Sequence, residues 1–292
     1  MHTAFVLGAG LGTRLRPLTN RRPKPLIPLG NRPLITWAFD HLMDSGVERF
    51  VVNTHWRAER YAEFFPGGHW RGCPIHFIEE TPEVLETGGG IWNARELLGG
   101  GPFIVYNGDI LSDIPLPRAI EHHRAAGNEV TLILRSQGDN RNVTFAPESG
   151  RILDLRRTLC PELEPQFLFT GIYLVEPAFI ARIPAAQKIS VVPIFHDMIR
   201  AGARLGGIVL DEGNWRDLGT REEYLAANRA IAGTHNTIHP SATIGGGAVL
   251  DDCIIWENAT VAPGARLTRC IVADGATACG EQIDVDFDPS LH

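Results

Sequence analysis

Phe5-Val6-Leu7-Gly8-Ala9-Gly10-Leu11-Gly12-Thr13-Arg14, continued by Arg22-Pro23-Lys24-Pro25-Leu26, is the stretch from which the rest of the chain can be read. The apolar run Ala4 to Leu7 predicts a buried strand. It ends in glycines at alternating positions, Gly8, Gly10 and Gly12, which let backbone N–H groups approach a polyanion without Cβ interference. Arg14 follows with a planar fork suited to phosphate oxygens. Pro23 and Pro25 stiffen the backbone on both sides of Lys24 and present its ammonium from a fixed place. The spacing is not G-x-G-x-x-G, and Pro17 with Arg21-Arg22-Pro23 argues against the helix that a dinucleotide-binding turn requires. The Walker pattern is absent as well.

Composition narrows the classes. The 292 residues predict one large domain and a smaller one. With 44% apolar and 21% charged residues the chain reads as soluble and globular. A net charge of −7 argues against a general nucleic-acid binder, so an anionic substrate must be met by local positive charge. No apolar run approaches the ~20 residues of a membrane span, and no signal-peptide pattern precedes the first strand. Five cysteines without C-x-x-C fit a reduced cytoplasm and no thiolate metal cluster. Lys and Arg total 27, yet Lys24 and Lys188 are the only lysines. A lysine kept in such an arginine-rich chain points to a need for a compact ammonium.

Taken as a whole, L-G-A-G-L-G-T-R-L-R-P-L-T with R-P-K-P-L-I-P-L-G resembles the signature of the sugar-1-phosphate nucleotidyltransferases, also called NDP-sugar pyrophosphorylases. The resemblance implies that Leu7, Gly8, Ala9, Gly10, Gly12 and Thr13 cradle the nucleotide. It also implies that Arg14 holds the β- and γ-phosphates and that Lys24 neutralises charge growing at the α-phosphate.

Downstream, apolar spacing predicts a helix over Pro33–Ser45 stopped at Gly46, and a strand over Phe50–Asn53. A helix at 58–65 and a strand at 75–78 follow. This alternation predicts a Rossmann-like, mixed but mainly parallel sheet flanked by helices, with ligands outside the carboxyl ends of the strands. In Glu79-Glu80-Thr81-Pro82-Glu83-Val84-Leu85-Glu86-Thr87-Gly88-Gly89-Gly90, Thr87 is the expected cap of a helix running from Gly88 to Leu98. Three glycines at a helix start each cost ~1 kcal/mol against Ala, so something requires bare backbone there. A base or sugar against main chain would do so, and so would a tight crossing of helix and neighbouring chain. The segment resembles the family's base- and sugar-contacting L-G-T-A-G, and its L-E-T-G-G-G form is closest to the N-acetylmuramate-1-phosphate uridylyltransferases. That resemblance implies nucleotide contacts from Glu80, Thr87, Gly88 and Gly89.

Phe103 to Asn107 is a strand whose end, Asn107-Gly108-Asp109, puts a carboxylate at the sheet edge, where a Mg2+ ligand would sit. It resembles the family's metal-binding G-D. A helix over 116–126 and a strand over 130–135 come next. Val143–Phe145, Arg151–Leu155 and Phe167–Val175 alternate like antiparallel strands. Thr170-Gly171 resembles the strand lining the sugar pocket, and the resemblance implies sugar-phosphate binding by Asn107, Thr170 and Gly171. Many relatives carry Glu-Lys-Pro before that strand, and this chain has Asp154-Leu155-Arg156-Arg157 instead. A cation for the sugar phosphate must therefore come from Lys188 or from one of Arg156 and Arg157, only one of which can face the pocket if the strand alternation continues. Trp215-Arg216-Asp217-Leu218-Gly219-Thr220 resembles the family's W-x-D-[VL]-G-T and makes Asp217 the second Mg2+ ligand. Thr220 is the better cap for a helix over 221–232.

Beyond the linker at 232–234 apolar residues recur in hexads: Ile238, Ile244, Leu250, then Ile255, Val261, Leu267, then Val272 and Ala278. Leu250, Cys253 and Ile255 return seventeen residues later as Leu267, Cys270 and Val272. Such hexads predict a short left-handed parallel β-helix with interior cysteines, too small to stand alone. It should dock on the catalytic domain or support a homo-oligomer. Similar tails occur in mannose-1-phosphate guanylyltransferase-like members of the family.

The expected organisation is a catalytic domain over 1–232 and a β-helix over 236–283. The expected reaction joins an NTP, with UTP or GTP foremost, to a sugar 1-phosphate with Mg2+, giving NDP-sugar and diphosphate. Neither a nucleic-acid partner nor a membrane is expected. A hexapeptide-repeat acyltransferase would want many coils and a catalytic histidine, whereas His235 and His239 fall in the linker and first coil. A non-catalytic regulatory paralogue would be expected to lose Lys24 or an acidic ligand, and all are present.

Overall fold

The structure, a computed structural model, describes residues 1–291. Two compact units divide the chain. The first comprises Met1–Gly10, Trp37–His55 and Phe65–Trp215, and the second Leu11–Thr36, Trp56–Phe64 and the chain from Arg216 onward.

The first unit is built on one ten-stranded sheet. Its order is Val143–Ala146, Arg151–Leu155, Leu205–Val209, Val130–Arg135, Leu168–Val175, Phe103–Asn107, Thr3–Leu7, Arg49–Thr54, Cys73–Glu79 and His69–Trp70. Thr3–Leu7 runs parallel to both Arg49–Thr54 and Phe103–Asn107, in a register that aligns Leu7 with Asn53 and Asn107. Leu168–Val175 is antiparallel to both its neighbours, so the sheet is mixed. Phe5, Val51, Val105, Leu132 and Tyr173 sit in one core covered by the helices Glu86–Asn93 and Val191–Arg200. Each such side chain, fully buried, contributes ~1.5–3 kcal/mol of transfer free energy. Because both faces are covered, the central strands read as unbroken apolar runs rather than alternating ones.

The helix predicted over Pro33–Ser45 is shorter, Ile35–Met43, and Gly46 ends it with φ +89°. The helix predicted from Gly88 to Leu98 is broken at Ala94 into Glu86–Asn93 and Arg95–Leu98. Thr87 lies inside its first turn, and the cap position is Leu85. The expected strand alternation past Leu155 also fails. The buried Asp154 carboxylate accepts the Cys160 N–H at 3.0 Å and folds the chain back. Arg156 and Arg157 then both take left-handed turn conformations, φ +61° and +55°, and both are exposed.

Between Leu11 and Leu34 the second unit contains no α-helix, only 3-10 turns at Thr13–Leu15 and Lys24–Leu26 and a hairpin pairing Pro28–Leu29 with Arg32–Pro33. The helix Arg221–Ala232 is capped by Thr220, whose side chain accepts the Glu223 N–H, and ends at Gly233 with φ +63°. Beyond it, short strands stack into three parallel sheets, one per side of a β-helix. Leu250 pairs with Leu267 and Ile255 with Val272, so the seventeen-residue repeat is one coil. Cys253 and Cys270 are interior, beside Ile255, Val261 and Leu267. Ile238 and Ile244 are instead exposed, at 39% and 38%. They belong to the first coil, which has a coil on only one side of it.

Candidate active site

At the carboxyl edge of the sheet, side chains from neighbouring strands fix the glycine turn. Asn53 Oδ1 accepts the Gly8 N–H at 2.9 Å, and Asn53 Nδ2 donates to Glu80 Oε1 at 2.7 Å. Glu80 Oε2 accepts the Leu85 N–H at 2.7 Å, and the His55 ring meets the Glu80 carbonyl at 2.6 Å. The Glu80 side chain has no exposed surface. Burial pushes its carboxyl upward despite the stabilising bonds from Asn53 and Leu85. The Glu80 carboxylate, expected to contact the base, is held at this edge by Asn53 and Leu85. It braces the edge from behind, and Asn53, which sequence reading left as a strand end, connects it to Gly8.

The glycine run is explained the same way. Gly88 and Gly89 both donate their N–H groups to the Ile189 carbonyl, at 2.8 and 3.0 Å. A Cβ on Gly88 would lie 2.9 Å from Ile189 O, on Gly89 2.4 Å from Gln187 O, and on Gly90 2.8 Å from Glu80 Oε1. These neighbours leave no room for a Cβ, so packing is sufficient to require bare backbone here. Thr87 serves a different helix from the one expected: its Oγ1 accepts the N–H of Val191, the first residue of Val191–Arg200, at 2.9 Å. The same crossing brings Lys188 alongside, where its Nζ meets Glu83 Oε2 at 2.8 Å and the ammonium is held above its usual range by that bond.

Asp109 follows the Phe103–Asn107 strand, and the intervening Gly108 donates to the Leu7 carbonyl at 3.0 Å. Asn107 and Gly171 come together: a Cβ on Gly171, at φ +76°, would stand 2.6 Å from Asn107 Nδ2. Thr170 turns its side chain into the sheet. It is fully buried, with its hydroxyl donating to Ile133 O at 2.8 Å, and its carbonyl receives Trp215 Nε1 at 2.9 Å. Arg157 is committed to the Pro161 carbonyl and to Glu164 at 3.0 Å, and Arg156 is exposed. Asn214 Nδ2 donates to Asp113 Oδ2 at 3.0 Å. Although burial would raise it, the Asp113 carboxyl is held below the usual range by the Asn214 bonds. Asn214 and Trp215 thus anchor the start of the N-W-R-D-L-G-T segment, a task its residue types alone did not reveal.

In the second unit, the signature loop meets the end of that segment. Gly12, at φ +61°, has its carbonyl bonded by Thr19 Oγ1 at 2.8 Å. Arg14 lays its guanidinium over Gly219, whose Cβ position would be 2.7 Å from Arg14 Nη1. Lys24, only 7% exposed, puts its Nζ 3.9 Å from Asp217 Oδ1, and the Asp217 side chain is 48% exposed. Two basic residues of the signature and two positions of the N-W-R-D-L-G-T segment therefore converge within one unit. Lys24 is sheathed, and the carboxylate facing it is half-exposed. Such an arrangement can accept an anionic ligand that brings its own countercharge.

The same stretch defines a family by comparison with known proteins: residues 3–234 match the nucleotidyl transferase family. This chain belongs to it. As a nucleotidyl transferase it is an enzyme of the nucleotidyl-transferring class. Mannose-1-phosphate guanylyltransferase of Mycobacterium tuberculosis is 32% identical over 265 residues, 85% of this chain and 72% of that protein. N-acetylmuramate alpha-1-phosphate uridylyltransferase of Neisseria meningitidis is 31% identical over 219 residues, 74% of this chain and 93% of that protein. Among solved structures, HddC from Yersinia pseudotuberculosis aligns with a TM-score of 0.66 at 21% identity, over 79% of this nucleotidyl transferase and all of that chain. UDP-glucose pyrophosphorylase from Acinetobacter baumanii aligns with a TM-score of 0.68 at 17% identity, over 79% and 93%. These two likenesses concern the fold.

Proposed function

We propose that this nucleotidyl transferase joins an NTP to a sugar 1-phosphate, giving an NDP-sugar and diphosphate. The observation that carries the reading is the convergence of Arg14 on Gly219 and of Lys24 on Asp217. A sugar-phosphate oxygen forms a bond to the α-phosphorus as the α–β bridging bond breaks in line, and its electron pair leaves with diphosphate. No protein nucleophile is required, so catalysis is positioning and charge stabilisation. Lys24 neutralises charge growing at the α-phosphate, and Arg14 holds the β- and γ-phosphates. The Leu7–Thr13 turn, kept in shape by Asn53, carries the nucleotide backbone contacts.

Asp109 and Asp217 are the proposed holders of Mg2+. Both are hard oxygen donors, and the Asp217 carboxylate is half-exposed. Among the described residues no three His, Cys, Asp or Glu side chains form a metal cluster. A pair of carboxylates completed by substrate phosphates and water is the set that suits Mg2+. When bound, the ion supplies charge neutralisation on the phosphate oxygens.

Lys188, beside the glycine crossing, is the first candidate to meet the sugar phosphate, ahead of Arg156 and Arg157. UTP is favoured by the L-E-T-G-G-G form and GTP by the β-helical tail. We assign the chemistry to residues 1–232 and the β-helix to 236–283, in a cytoplasmic enzyme that the tail can assemble into a homo-oligomer. No helix of the described residues is long and apolar enough to cross a membrane. Diphosphate release measured with four NTPs against a panel of sugar 1-phosphates tests the reading. Release that requires both substrates is the expected result, and release with none of the pairs would overturn it.

A further inference from the structure

The second unit ties the signature loop to the β-helix around Arg22. Arg22, two positions before Lys24, is 3% exposed. Its guanidinium lies over the rings of Phe64 and Trp256, at 4.9 and 5.1 Å from their centroids. It hydrogen-bonds Glu257 Oε1 and stands 3.6 Å from Asp274 Oδ2. Trp256, Glu257 and Asp274 all belong to the coils. Neighbouring loop residues reach the same way: Arg21 Nη1 donates to the Asp274 carbonyl at 3.2 Å, and Asn20 Nδ2 to Ser290 Oγ at 3.1 Å.

From Arg22 the chain has almost no freedom before Lys24. Pro23 sits at φ −53°, and its carbonyl accepts the Leu26 N–H at 2.9 Å, closing the 3-10 turn that contains Lys24. Pro25 fixes the next φ. Two residues span at most ~7 Å, so a displacement of the Arg22 backbone cannot be absorbed before it reaches Lys24. A buried guanidinium cannot stay in place without its carboxylates, because an unpaired buried charge is strongly disfavoured. Its planar fork also fixes orientation as well as distance.

We propose that Glu257 and Asp274 of the coils are positioning residues for the transfer reaction, acting through Arg22 and the rigid Pro23 link to hold the Lys24 ammonium at the reacting phosphate. The β-helix is then a working part of the active site rather than an appendage. The inference rests on the role given to Lys24 above and extends it to residues more than two hundred positions away.

The test is steady-state kinetics on the full-length chain, varying each substrate in turn, with thermal melting as a check on folding. Lys24→Ala tests the underlying role alone: a collapse of kcat upholds it, and near-normal turnover removes it. Given that collapse, Glu257→Gln should lower kcat about tenfold and Asp274→Asn about threefold, with both Michaelis constants within about twofold of wild type, since a misplaced catalytic group costs rate rather than binding. Asp252→Asn is the control. It breaks the Arg229–Asp252 pair, a different anchor between the coils and the helix Arg221–Ala232, and should lower the melting temperature while leaving kcat alone. The proposal is overturned if folded Glu257→Gln keeps wild-type kcat, or if Asp252→Asn lowers kcat as much. Should Glu257→Gln not fold, Asp274→Asn and Arg22→Lys decide, and wild-type kcat in both would overturn it equally.

Discussion

Lys24 Nζ and Asp217 Oδ1 face each other at 3.9 Å, although 193 residues of chain separate them. One is sheathed and the other half exposed, so the pair is asymmetric. In the proposed reaction an incoming phosphate would take over the ammonium. Replacing Lys24 by Ala should lower kcat by about 10²-fold or more, the scale of losing one preorganised charge-stabilising donor. Lys24→Arg should not restore it, because a fork does not fit where a point charge is sheathed. Single-turnover measurements would separate this loss from product release.

Asp109→Asn and Asp217→Asn should each reduce turnover steeply while leaving the melting temperature near that of the parent. The Mg2+ concentration giving half-maximal rate should rise in both. A well-folded variant with unchanged turnover and unchanged Mg2+ dependence would take that residue out of the metal role.

Lys188→Ala should raise the Michaelis constant for the sugar 1-phosphate about tenfold and leave that for the NTP nearly unchanged, as expected for the loss of a charge-assisted contact. Arg156→Ala and Arg157→Ala, measured alongside, should change little, since Arg157 already spends its guanidinium on Pro161 and Glu164. If the arginines respond and Lys188 does not, the ranking is reversed.

Gly89→Ala should destabilise the fold by about 1–3 kcal/mol through overpacking, because its Cβ would stand 2.4 Å from the Gln187 carbonyl oxygen. Gly100→Ala, where nothing lies within 4 Å of the added carbon, is the matched control. Denaturant midpoints of the two variants compare them directly.

The Arg22–Glu257 pair predicts an acid limb. Burial would raise the Glu257 carboxyl, but the Arg22 hydrogen bond and charge outweigh it and hold the group below its usual range. A depressed carboxylate contributes stability that is fully present above its unfolded pKa, ordinarily about 4.3. That contribution is lost as pH falls through the lower folded value. Glu257→Gln should therefore be less stable than the parent at pH 7, and the gap should narrow below about pH 4. Urea unfolding at the two pH values measures it, and a gap that stays constant would contradict the assignment.

Much of the fold was legible in the sequence because it is written in local periodicity. Apolar runs between glycines gave the parallel strands their positions, Thr220 its capping role, and the seventeen-residue repeat its coils. The site was legible where the signature is continuous in sequence, and less so where distant chain passes behind it. Nothing near Gly88 and Gly89 announces that the 187–189 segment will cross them. Nothing near Glu80 says that Asn53 and Leu85 will enclose it, or near Thr170 that its hydroxyl turns into the sheet. Polar residues beside a ligand edge and polar residues bracing that edge have the same types and spacing. Only burial separates them, and burial is decided by residues far away in the chain.

The scarcity of lysine gives this enzyme a built-in reporter. Apart from the N-terminal amine, an amine-acylating reagent meets only two targets, Lys24 within the turn and Lys188 at the surface. Their labelling rates in a mass-spectrometric footprint should differ at rest and respond to different ligands. The triphosphate should shield the first and the sugar phosphate the second, so occupancy of each half of the site can be followed on the unmodified protein without a probe being introduced.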